Sequence, residues 1–479
     1  MADIEFISLS TNVQQLITSE QAWHYLIIPK SKKNNYLEFY IDEMQAVNEI
    51  QEELEMIFGT AVKLEKTASD IINKSLGKYY RKRRKKTSDK SIDISGKKSE
   101  DFLLNLIEEA NSIGSSDIHI EIYEEKCRVR LRIDGKLVER YILNKNEYPA
   151  LINKVKIKSN LDIAEKRLPQ DGRIFFETGT DKFDIRVSIL PTLHGEKIVM
   201  RLLSKDATDI DINKLGFSDI QLDNYLEGIK KPNGIILISG PTGSGKTTTL
   251  YATLKVLNKE HSNVITIEDP IEYTLEGINQ VQLKESIGLT FASALRTFLR
   301  QDPDIIMLGE IRDSETAQMS IRASLTGHLV LSTIHTNNAW GTVSRLIDMG
   351  VPSFLLANTL SLSVAQRLVR ILCPDCKEEK EFDINMFPKG FDPPEKVTSH
   401  FKAIGCENCY YTGYKGRKAV YEVIPIDHEL ASYIKNKNFD ILETLKTKGI
   451  KQLSDGAFEL FKNGETTIEE VYSMLINSY

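Results

Sequence analysis

The stretch Gly240-Pro241-Thr242-Gly243-Ser244-Gly245-Lys246-Thr247 decides the fold predicted for this chain. It fits the phosphate-loop pattern G-x-x-x-x-G-K-[ST] at every fixed position. The apolar residues 235–238 before it predict a buried strand, and the residues from Thr248 onward predict a helix. This order of strand, loop and helix favours a nucleotide-binding loop over a glycine-rich turn that binds nothing.

Each residue type in the loop suits contact with phosphate. Glycines let backbone N–H groups converge on phosphate oxygens without a Cβ in the way, and the N-terminus of the following helix favours an anion. Lys246 is expected to bridge the outer phosphates, and the hydroxyl of Thr247 is expected to bind Mg²⁺. The predicted nucleotide-binding residues are Gly240, Pro241, Thr242, Gly243, Ser244, Gly245, Lys246, Thr247 and Thr248.

The composition is that of a globular protein. The chain has 479 residues, of which 41% are apolar and 27% are charged, and this length suits about three domains. No apolar run approaches the ~20 residues needed to span a bilayer, and the N-terminus lacks the order of a signal peptide, so a cytoplasmic location is expected. The net charge of −6 argues against nonspecific nucleic-acid binding, which depends on neutralising phosphates.

Composition and periodicity divide the chain into segments. Residues 1–80 show no catalytic constellation and are interpreted as an interaction module. A basic block at 81–86 opens a predicted linker, which is either solvated or attracted to anionic lipid headgroups. Strands and helices that alternate around the phosphate loop predict a mostly parallel sheet. The predicted segments are an N-terminal domain at 1–80, the linker at 81–98, a second α/β domain at 99–205, a connector at 206–217 and a phosphate-loop domain at 218–479, which includes a cysteine-containing subdomain at about 370–416 and a helical part at about 421–479.

Acidic residues follow two predicted strands, at the ends that face a ligand in open α/β sheets. Glu268 follows the strand at 264–267, where acids can hold Mg²⁺ or its waters; an acidic surface turn is the alternative. Glu310 follows the strand at 304–308 and stands after Gly309. Many phosphate-loop enzymes place a Mg²⁺-binding Asp where Gly309 stands. We therefore expect Glu310 to orient and deprotonate the attacking water, and the acids at 268–269 to take over the metal role.

Two histidines flank a third predicted strand within 326–336. His328 precedes the strand and His335 follows it. Because imidazole changes charge near neutral pH, these residues are candidates to sense the terminal phosphate or to relay its loss to a subunit contact. A purely structural role is the alternative for each histidine.

The five cysteines include two C-x-x-C pairs, and Cys127 stands apart in a predicted strand. In a chain expected to be cytosolic, this pattern favours a metal over disulfides; a redox pair is the alternative. Four thiolates close the coordination shell of Zn²⁺, so the site is predicted to be structural. The segment between the pairs has several prolines and few core residues, and it is predicted to need the metal to fold. The predicted zinc ligands are Cys373, Cys376, Cys406 and Cys409.

Three arginines of the segment 99–205 are not explained by their local sequence. Arg173 ends a predicted turn at 168–173, whereas Arg186 and Arg201 lie on predicted strands. An ion pair within the fold is the alternative to a functional role for any one of them.

The motifs together resemble one known family. The phosphate loop, the acidic stretch ITIEDPIEY at 265–273, the strand end GEIRD at 309–313 and the histidine stretch TGHLVLSTIHTN at 326–337 look like those of the secretion ATPases that drive type II secretion and type IV pilus assembly. The resemblance covers residues 99–479. It implies an α/β fold with a RecA-like phosphate-loop ATPase domain, a preceding PAS-like α/β domain, a small N-terminal α/β domain and a Cys₄ zinc insert.

The resemblance also implies roles for matching residues. Glu310 looks like the catalytic glutamate, Glu268 belongs to the acidic box, and the two histidines form a histidine box. The preceding domain supplies arginines to the nucleotide in this family, where a cation neutralises charge on the transferred phosphoryl group and closure of the domain would gate hydrolysis. Which arginine does so stays open. The candidate catalytic residues are Glu310, Glu268, Arg173, Arg186, Arg201, His328 and His335.

Cofactors and partners follow from the same resemblance. Members of the family are cytoplasmic homo-hexamers that hydrolyse ATP with Mg²⁺ and act on an inner-membrane platform protein so that pilin subunits are added. Residues 1–98 would dock to that platform or to a cytoplasmic anchor protein, which puts the chain at the inner face of the cytoplasmic membrane. The Cys₄ insert resembles the assembly and secretion ATPases rather than the retraction motors. Residues 1–98 give no clear match to the cyclic-dinucleotide signature of other members.

Two related functions stay open from the sequence, namely a motor for a competence pseudopilus in DNA uptake and a DNA-transfer ATPase. The acidic net charge and the lack of an aromatic-rich basic groove disfavour direct contact with nucleic acid, so none is expected. A non-hydrolysing scaffold is disfavoured because Lys246, Thr247 and Glu310 are all present.

Overall fold

The computed structural model describes residues 7–14, 16–33, 36–80, 99–178, 181–203 and 210–476. The predicted linker at 81–98 and residues 206–209 of the predicted connector lie outside the described residues. Contacts between residues divide the chain into two units. The first unit comprises residues 1–202, 373–377 and 403–415, and the second comprises 203–372, 378–402 and 416–479.

The N-terminal part of the first unit is a three-stranded sheet with helices against it. Strands β1 and β2 run antiparallel, whereas β2 and β3 run parallel and are joined through helix α3. Gly59 ends α3 at a φ of +62°, a left-handed conformation that glycine adopts without strain. The elements are α1 (Thr11–Gln14), α2 (Ser19–Tyr25), β1 (Ile27–Lys33), β2 (Tyr36–Asp42), α3 (Val47–Phe58), β3 (Ala61–Thr67) and α4 (Ser69–Tyr79).

A six-stranded sheet in the order β6-β5-β4-β9-β8-β7 forms the next part of the first unit. Alternate residues of β5, such as Val129 and Leu131, join a core with helices α5 and α6, while the residues between them are charged. Asp134 and Gly135 both have positive φ and make the predicted tight turn between β5 and β6. The elements are α5 (Ser99–Ser112), β4 (Asp117–Ile122), β5 (Lys126–Ile133), β6 (Lys136–Asn144), α6 (Tyr148–Lys158), β7 (Gln170–Thr178), β8 (Asp181–Thr192) and β9 (Gly195–Leu203).

The second unit is built on a seven-stranded sheet in the order β12-β11-β13-β14-β10-β15-β18. Neighbouring strands from β12 to β15 pair in parallel, which confirms the predicted α/β class. Successive residues of β10 enter opposite cores, Ile235 and Leu237 on one face and Ile236 and Ile238 on the other. Burial on both faces explains why these strands are continuous apolar runs.

Helices cover both faces of this sheet, as expected for a parallel sheet. Among the described residues, every helix is too short or too polar to span the hydrocarbon core of a bilayer. The elements are α7 (Asp219–Ile229), β10 (Gly234–Ser239), α8 (Lys246–Leu257), β11 (Val264–Glu268), β12 (Asn279–Gln282), α9 (Phe291–Phe298), β13 (Ile305–Leu308), α10 (Ser314–Leu325), β14 (Leu329–Ile334), α11 (Gly341–Asp348), α12 (Ser353–Thr359), β15 (Leu360–Leu372), β16 (Lys377–Glu381), β17 (Ser399–Ala403), β18 (Tyr414–Pro425), α13 (His428–Lys435), α14 (Leu442–Thr447), α15 (Leu453–Lys462) and α16 (Ile468–Ile476).

The segment between the two cysteine pairs contributes to the core of the second unit. Phe382 and Phe387 lie with ring centroids 5.3 and 5.7 Å from that of Phe461 on α15, and Phe387 is buried. We predicted few core residues here and a dependence on metal for folding. The aromatic contacts give residues 378–402 apolar packing that does not involve the cysteines.

Candidate functional site

The phosphate loop joins β10 to α8 in the second unit. Gly245 occupies the N-cap of α8 at a φ of +88°, and no side chain caps the helix, so the first N–H groups of α8 are free to face an anion. A Cβ on Gly240 would lie 2.5 Å from the carbonyl oxygen of Gln366 and 2.6 Å from Oγ of Ser244. The loop therefore needs glycine at this position to pass beside β15.

The polar groups of the loop include hydrogen-bond donors that can bind phosphate oxygens. Lys246 is buried, and its Nζ donates to the carbonyl oxygens of Gly240 (2.8 Å) and Pro241 (3.0 Å). Burial lowers the pKa of Lys246, and the nearby charge of Glu310 opposes this shift only in part. The Oγ of Ser244 is buried and has no hydrogen-bond partner among the described residues. This donor set fits the phosphates of a nucleotide.

The remaining predicted loop residues are open to a ligand. Thr247 and Thr248 in the first turn of α8 are exposed, so the hydroxyl of Thr247 is accessible to a metal ion bound with nucleotide. The other exposed positions in the loop are Pro241, Thr242 and Gly243.

Glu310 lies two residues after the end of β13, within a cluster of charged side chains. Arg312 forms an ion pair with its carboxylate, and Nε2 of His335 lies 3.3 Å from its Oε2. Arg312 also lies 3.5 Å from Oδ2 of Asp269. Burial acts to raise the pKa of Glu310, but the hydrogen bond and charge of Arg312 and the proximity of His335 bring that pKa below its usual value. Glu310 is thus held as a carboxylate, the form that a general base requires.

The two predicted histidines lie at opposite ends of β14. His335 follows the strand at the end where Glu310 is found, whereas His328 precedes it, a separation of roughly 23 Å along an extended strand. Nδ1 of His328 is 2.8 Å from the carbonyl oxygen of Ala323 near the end of α10. Only His335 is therefore brought to the phosphate-loop end of the sheet within one chain.

Glu268 ends β11 as a buried carboxylate with several donors. Its Oε1 accepts from Oγ1 of Thr266 (2.6 Å) and Nε2 of Gln280 (3.1 Å). Its Oε2 accepts from the hydroxyl of Tyr251 on α8. Tyr251 was not among the residues predicted from the sequence. Its position four residues after Thr247, on the same face of the predicted helix, was the available signal.

Two residues of β15 also reach the loop and were not predicted. Oε1 of Gln366 accepts from Oγ1 of Thr249 at 2.9 Å. The guanidinium of Arg367 donates to the carbonyl oxygens of Gln366 (3.0 Å) and Asn337 (2.6 Å). A cavity of about 420 Å³ opens beside Arg367, between the start of the loop, residues 335–338 and the N-terminus of α15. The sequence offers no indication of these two contacts, because β15 lies far from the loop along the chain.

The three candidate arginines lie on strands of the first unit. Arg173 was predicted to lie in a turn, which is wrong, because β7 begins at Gln170 and pairs Arg173 directly with Arg186 on β8. Arg201 on β9 is 3.0 Å from Oδ1 of Asp117. An intramolecular ion pair thus accounts for one contact of Arg201. The strand register places Arg173 opposite Arg186.

The four cysteines of the two C-x-x-C pairs come together in the first unit. Their sulfur atoms all lie within 4.8 Å of one another. The separations are 3.7 Å for Cys373–Cys406, 3.7 Å for Cys376–Cys409 and 3.8 Å for Cys406–Cys409. Ligands at ~2.3 Å from a tetrahedral ion are about 3.8 Å apart, so the arrangement fits a bound metal.

Backbone N–H groups also support thiolates in this cluster. Gly405 donates to Sγ of Cys376 at 3.3 Å, and Gly413 donates to Sγ of Cys409 at 3.3 Å. Burial acts to raise the pKa of Cys409, but the backbone donors of Cys406 and Gly413 bring it below its usual value. Such donors stabilise the deprotonated sulfur that binds a metal. Burial raises the pKa of Cys373 and Cys376 above the usual value of a thiol, so a metal ion would be needed to hold all four as thiolates.

Comparisons with known proteins show the family to which the chain belongs. A family profile described as "Type II/IV secretion system protein" matches residues 95–473. The type II secretion system ATPase E of Vibrio cholerae is 46% identical over 368 residues, which cover 76% of this chain and 73% of that protein. The type IV pilus assembly ATPase PilB of Myxococcus xanthus is 40% identical over 504 aligned positions, which cover 98% of this chain and 88% of that protein.

A solved structure shows the same fold. The ATPase DotB of Legionella pneumophila aligns with a TM-score of 0.59 at 22% identity, over 78% of this chain and 95% of that one. The profile spans most of the chain, and both relatives carry the identity over most of their own length. The chain therefore belongs to the family of type II/IV secretion system proteins and is a secretion-type ATPase that uses ATP and Mg²⁺.

Proposed function

We propose that this ATPase is a mechanical motor that powers assembly of a type II secretion pseudopilus or a type IV pilus. The observation that carries this proposal is the 40% identity with a type IV pilus assembly ATPase across 98% of the chain. The 46% identity with a type II secretion system ATPase supports the same kind of motor function. The motor acts as a homo-hexamer on an inner-membrane platform protein, through which pilin subunits are added.

The chemistry of the cycle follows from the residues around the phosphate loop. Lys246 and the N-terminus of α8 bind phosphate, and the hydroxyl of Thr247 would hold a Mg²⁺ ion, which would neutralise charge on the phosphates. Glu310 accepts a proton from the attacking water, while His335 faces its carboxylate. Arg173, Arg186 and Arg201 are the candidates for a cation that stabilises the transferred phosphoryl group, and closure of their domain gates hydrolysis.

Two further parts of the chain have supporting roles. The four thiolates of the cysteine cluster would hold one Zn²⁺ and complete its shell, so the ion would serve a structural role. Residues 1–98 dock to the platform protein or to a cytoplasmic anchor, which keeps the motor at the inner face of the cytoplasmic membrane. His328 contributes to a subunit contact rather than to the nucleotide of its own chain.

A genetic experiment with a catalytic variant tests the motor function. In the producing organism, deletion of the gene should abolish surface filaments or release of secreted proteins, and the wild-type gene should restore them. Glu310→Gln should bind ATP but fail to hydrolyse it and fail to restore function, because the water-activating group is lost. Glu315→Gln, which changes an exposed carboxylate paired with Arg296, is the matched control and should restore function.

The readouts separate the alternatives. Filaments counted by electron microscopy report pilus assembly, secreted proteins in the medium report type II secretion, and uptake of labelled DNA reports a competence pseudopilus. Normal filaments, secretion and uptake after deletion would contradict the proposal, as would full restoration by Glu310→Gln at equal protein levels.

A further inference from the structure

One tyrosine hydroxyl connects the phosphate-loop helix to the acidic turn at 268–272. Tyr251 lies on α8, one helical turn after Thr247, and is fully buried. Its ring meets that of Tyr273 edge-on, with centroids 4.5 Å apart and an interplanar angle of 75°. The ring is thus fixed from the side, and its hydroxyl points to the acidic turn.

The hydroxyl of Tyr251 bonds to both ends of that turn. It donates to Oε2 of Glu268, and it accepts from the backbone N–H of Glu272 at 3.3 Å. A phenolic hydroxyl can donate one bond and accept another, so both contacts are compatible. Burial, with the nearby charge of Glu268 and its hydrogen bond, raises the pKa of Tyr251, and the hydroxyl therefore keeps its proton.

The surroundings of Glu268 match a structural carboxylate better than a metal ligand. Its residue is 3% exposed, and its two oxygens accept bonds from Tyr251, Thr266 and Gln280. Direct coordination of Mg²⁺ would displace one or more of these donors and leave it unsatisfied inside the protein. The neighbouring Asp269 has a side chain that is 40% exposed and faces Arg312, so it is the more accessible acid of the turn.

We propose that Tyr251 is a positioning residue for ATP hydrolysis, which holds the acidic turn in register with Lys246 and Thr247 by bridging Glu268 and Glu272. In this arrangement, Glu268 acts through the hydrogen-bonded network and does not ligate Mg²⁺. The helix that carries the phosphate-binding residues and the turn that carries the exposed Asp269 then move as one body. Misplacement of catalytic groups by ~1 Å can lower a rate about 100-fold, so this link is expected to affect turnover more than binding.

Steady-state kinetics of the full-length Tyr251→Phe variant test the proposal. Loss of the hydroxyl should lower kcat at least about tenfold and leave the KM for ATP within about twofold, because the phosphate loop itself is unchanged. Tyr225→Phe is the matched control, since Tyr225 is equally buried and its hydroxyl lies 2.7 Å from Oγ1 of Thr253 on the same helix. The two variants should have similar melting temperatures, but Tyr225→Phe should retain the wild-type kcat. Equal losses of kcat in both variants would overturn the proposal.

Glu268→Gln provides a second, independent variant. If Glu268 and Tyr251 act as one unit, the double variant should lose no more than about twofold beyond the worse single variant. The Mg²⁺ concentration for half-maximal activity should stay within about twofold of the wild-type value in Glu268→Gln. A rise of tenfold or more in that concentration, absent from Tyr251→Phe, would identify Glu268 as a metal ligand and contradict the assignment.

Discussion

Glu310 has two basic neighbours, and they determine how strong a base it can be. Arg312 and His335 both contact its carboxylate, and together they bring its pKa below the usual value although burial acts in the opposite direction. A weaker base accepts a proton less readily from water. Arg312 also faces Asp269. The basicity of Glu310 therefore depends on where the side chain of Arg312 lies.

Arg312→Gln should shift the pH dependence of ATP turnover. In the wild-type protein, the carboxylate persists to a pH below the usual glutamate pKa of about 4.3. Without Arg312, burial raises the pKa of Glu310 with less opposition, so the acid limb of kcat/KM should move to higher pH. The measurement is the pH profile of phosphate release. Arg296→Gln is the control, since Arg296 and Arg312 have side chains that are both 52% exposed. An unchanged acid limb in Arg312→Gln would contradict this account.

The sequence located some site residues and could not locate others. Lys246 and Glu310 were predictable because each follows a recognisable apolar strand, and carboxyl ends of parallel strands meet at one edge of a sheet. The relation between Tyr251 and Glu268, 17 positions apart, depends on how α8 packs beside β11, which local patterns do not encode. Arg367 and its partner Asn337 are further apart in sequence, at 30 positions. His328 matched the family motif, yet it lies at the other end of β14.

At the scale of the structural elements, the cysteine cluster and the segment that follows its first pair are organised differently. Four sulfur atoms form the cluster, whereas apolar packing holds the segment. The segment at 378–402 has its own aromatic contacts with α15. The prolines of that segment led to a prediction of few core residues and a need for metal to fold, because the pattern gave no sign that Phe382 and Phe387 pack into one core with distant helices. The hairpin turn at Asp134–Gly135 was predictable, since both residues tolerate positive φ.

Metal analysis tests the cysteine cluster. The purified protein should contain about one zinc per chain, because four sulfur ligands complete a tetrahedral shell. Cys409→Ser should lose most of the metal, whereas Cys127→Ala, which removes a buried thiol outside the cluster, should retain it. Zinc content is measured by elemental mass spectrometry, and free thiols are counted by titration with a thiol reagent. Absence of metal with all four thiols reactive would refute the site.

Hydrogen exchange then shows how far the effect of metal extends. Removal of zinc should speed exchange in residues 373–377 and 403–415, which surround the cysteines, because the metal closes these segments. Exchange near Phe387 should change little, since apolar packing protects that region. Equal loss of protection throughout 373–415 would instead support the dependence on metal that the sequence predicted.

At the scale of the whole molecule, the contacts group the cysteine segments with the first unit although they lie between β15 and β18 in sequence. Sequence order alone predicts them within the segment 218–479. The N-terminal sheet, the six-stranded sheet and the seven-stranded sheet lie in the predicted segments 1–80, 99–205 and 218–479 respectively. No single motif encodes assembly into a ring, so the proposed hexamer rests on the similarity of the chain to secretion and pilus assembly ATPases.

The proposed hexamer gives a prediction for solution mass. In the presence of Mg²⁺ and a non-hydrolysable ATP analogue, the protein should show a species with six times the chain mass of 54.4 kDa. Lys246→Ala removes the buried ammonium that we propose binds phosphate, so nucleotide should not promote the same assembly in this variant. Mass photometry or analytical ultracentrifugation measures both. A protein that stays monomeric with nucleotide at micromolar concentration would argue against the ring.

The closeness of the four cysteine sulfurs bears on the storage and handling of the protein. Thiols separated by 3.7 Å need little movement to form covalent disulfides once an oxidant is present and no metal holds them apart. A strong chelator such as EDTA would remove a bound metal and expose these thiols, and peroxide in detergents would then oxidise them to disulfides, which a reductant must reverse before metal can bind again. Preparations kept in a mild phosphine reductant without chelator should remain active for longer.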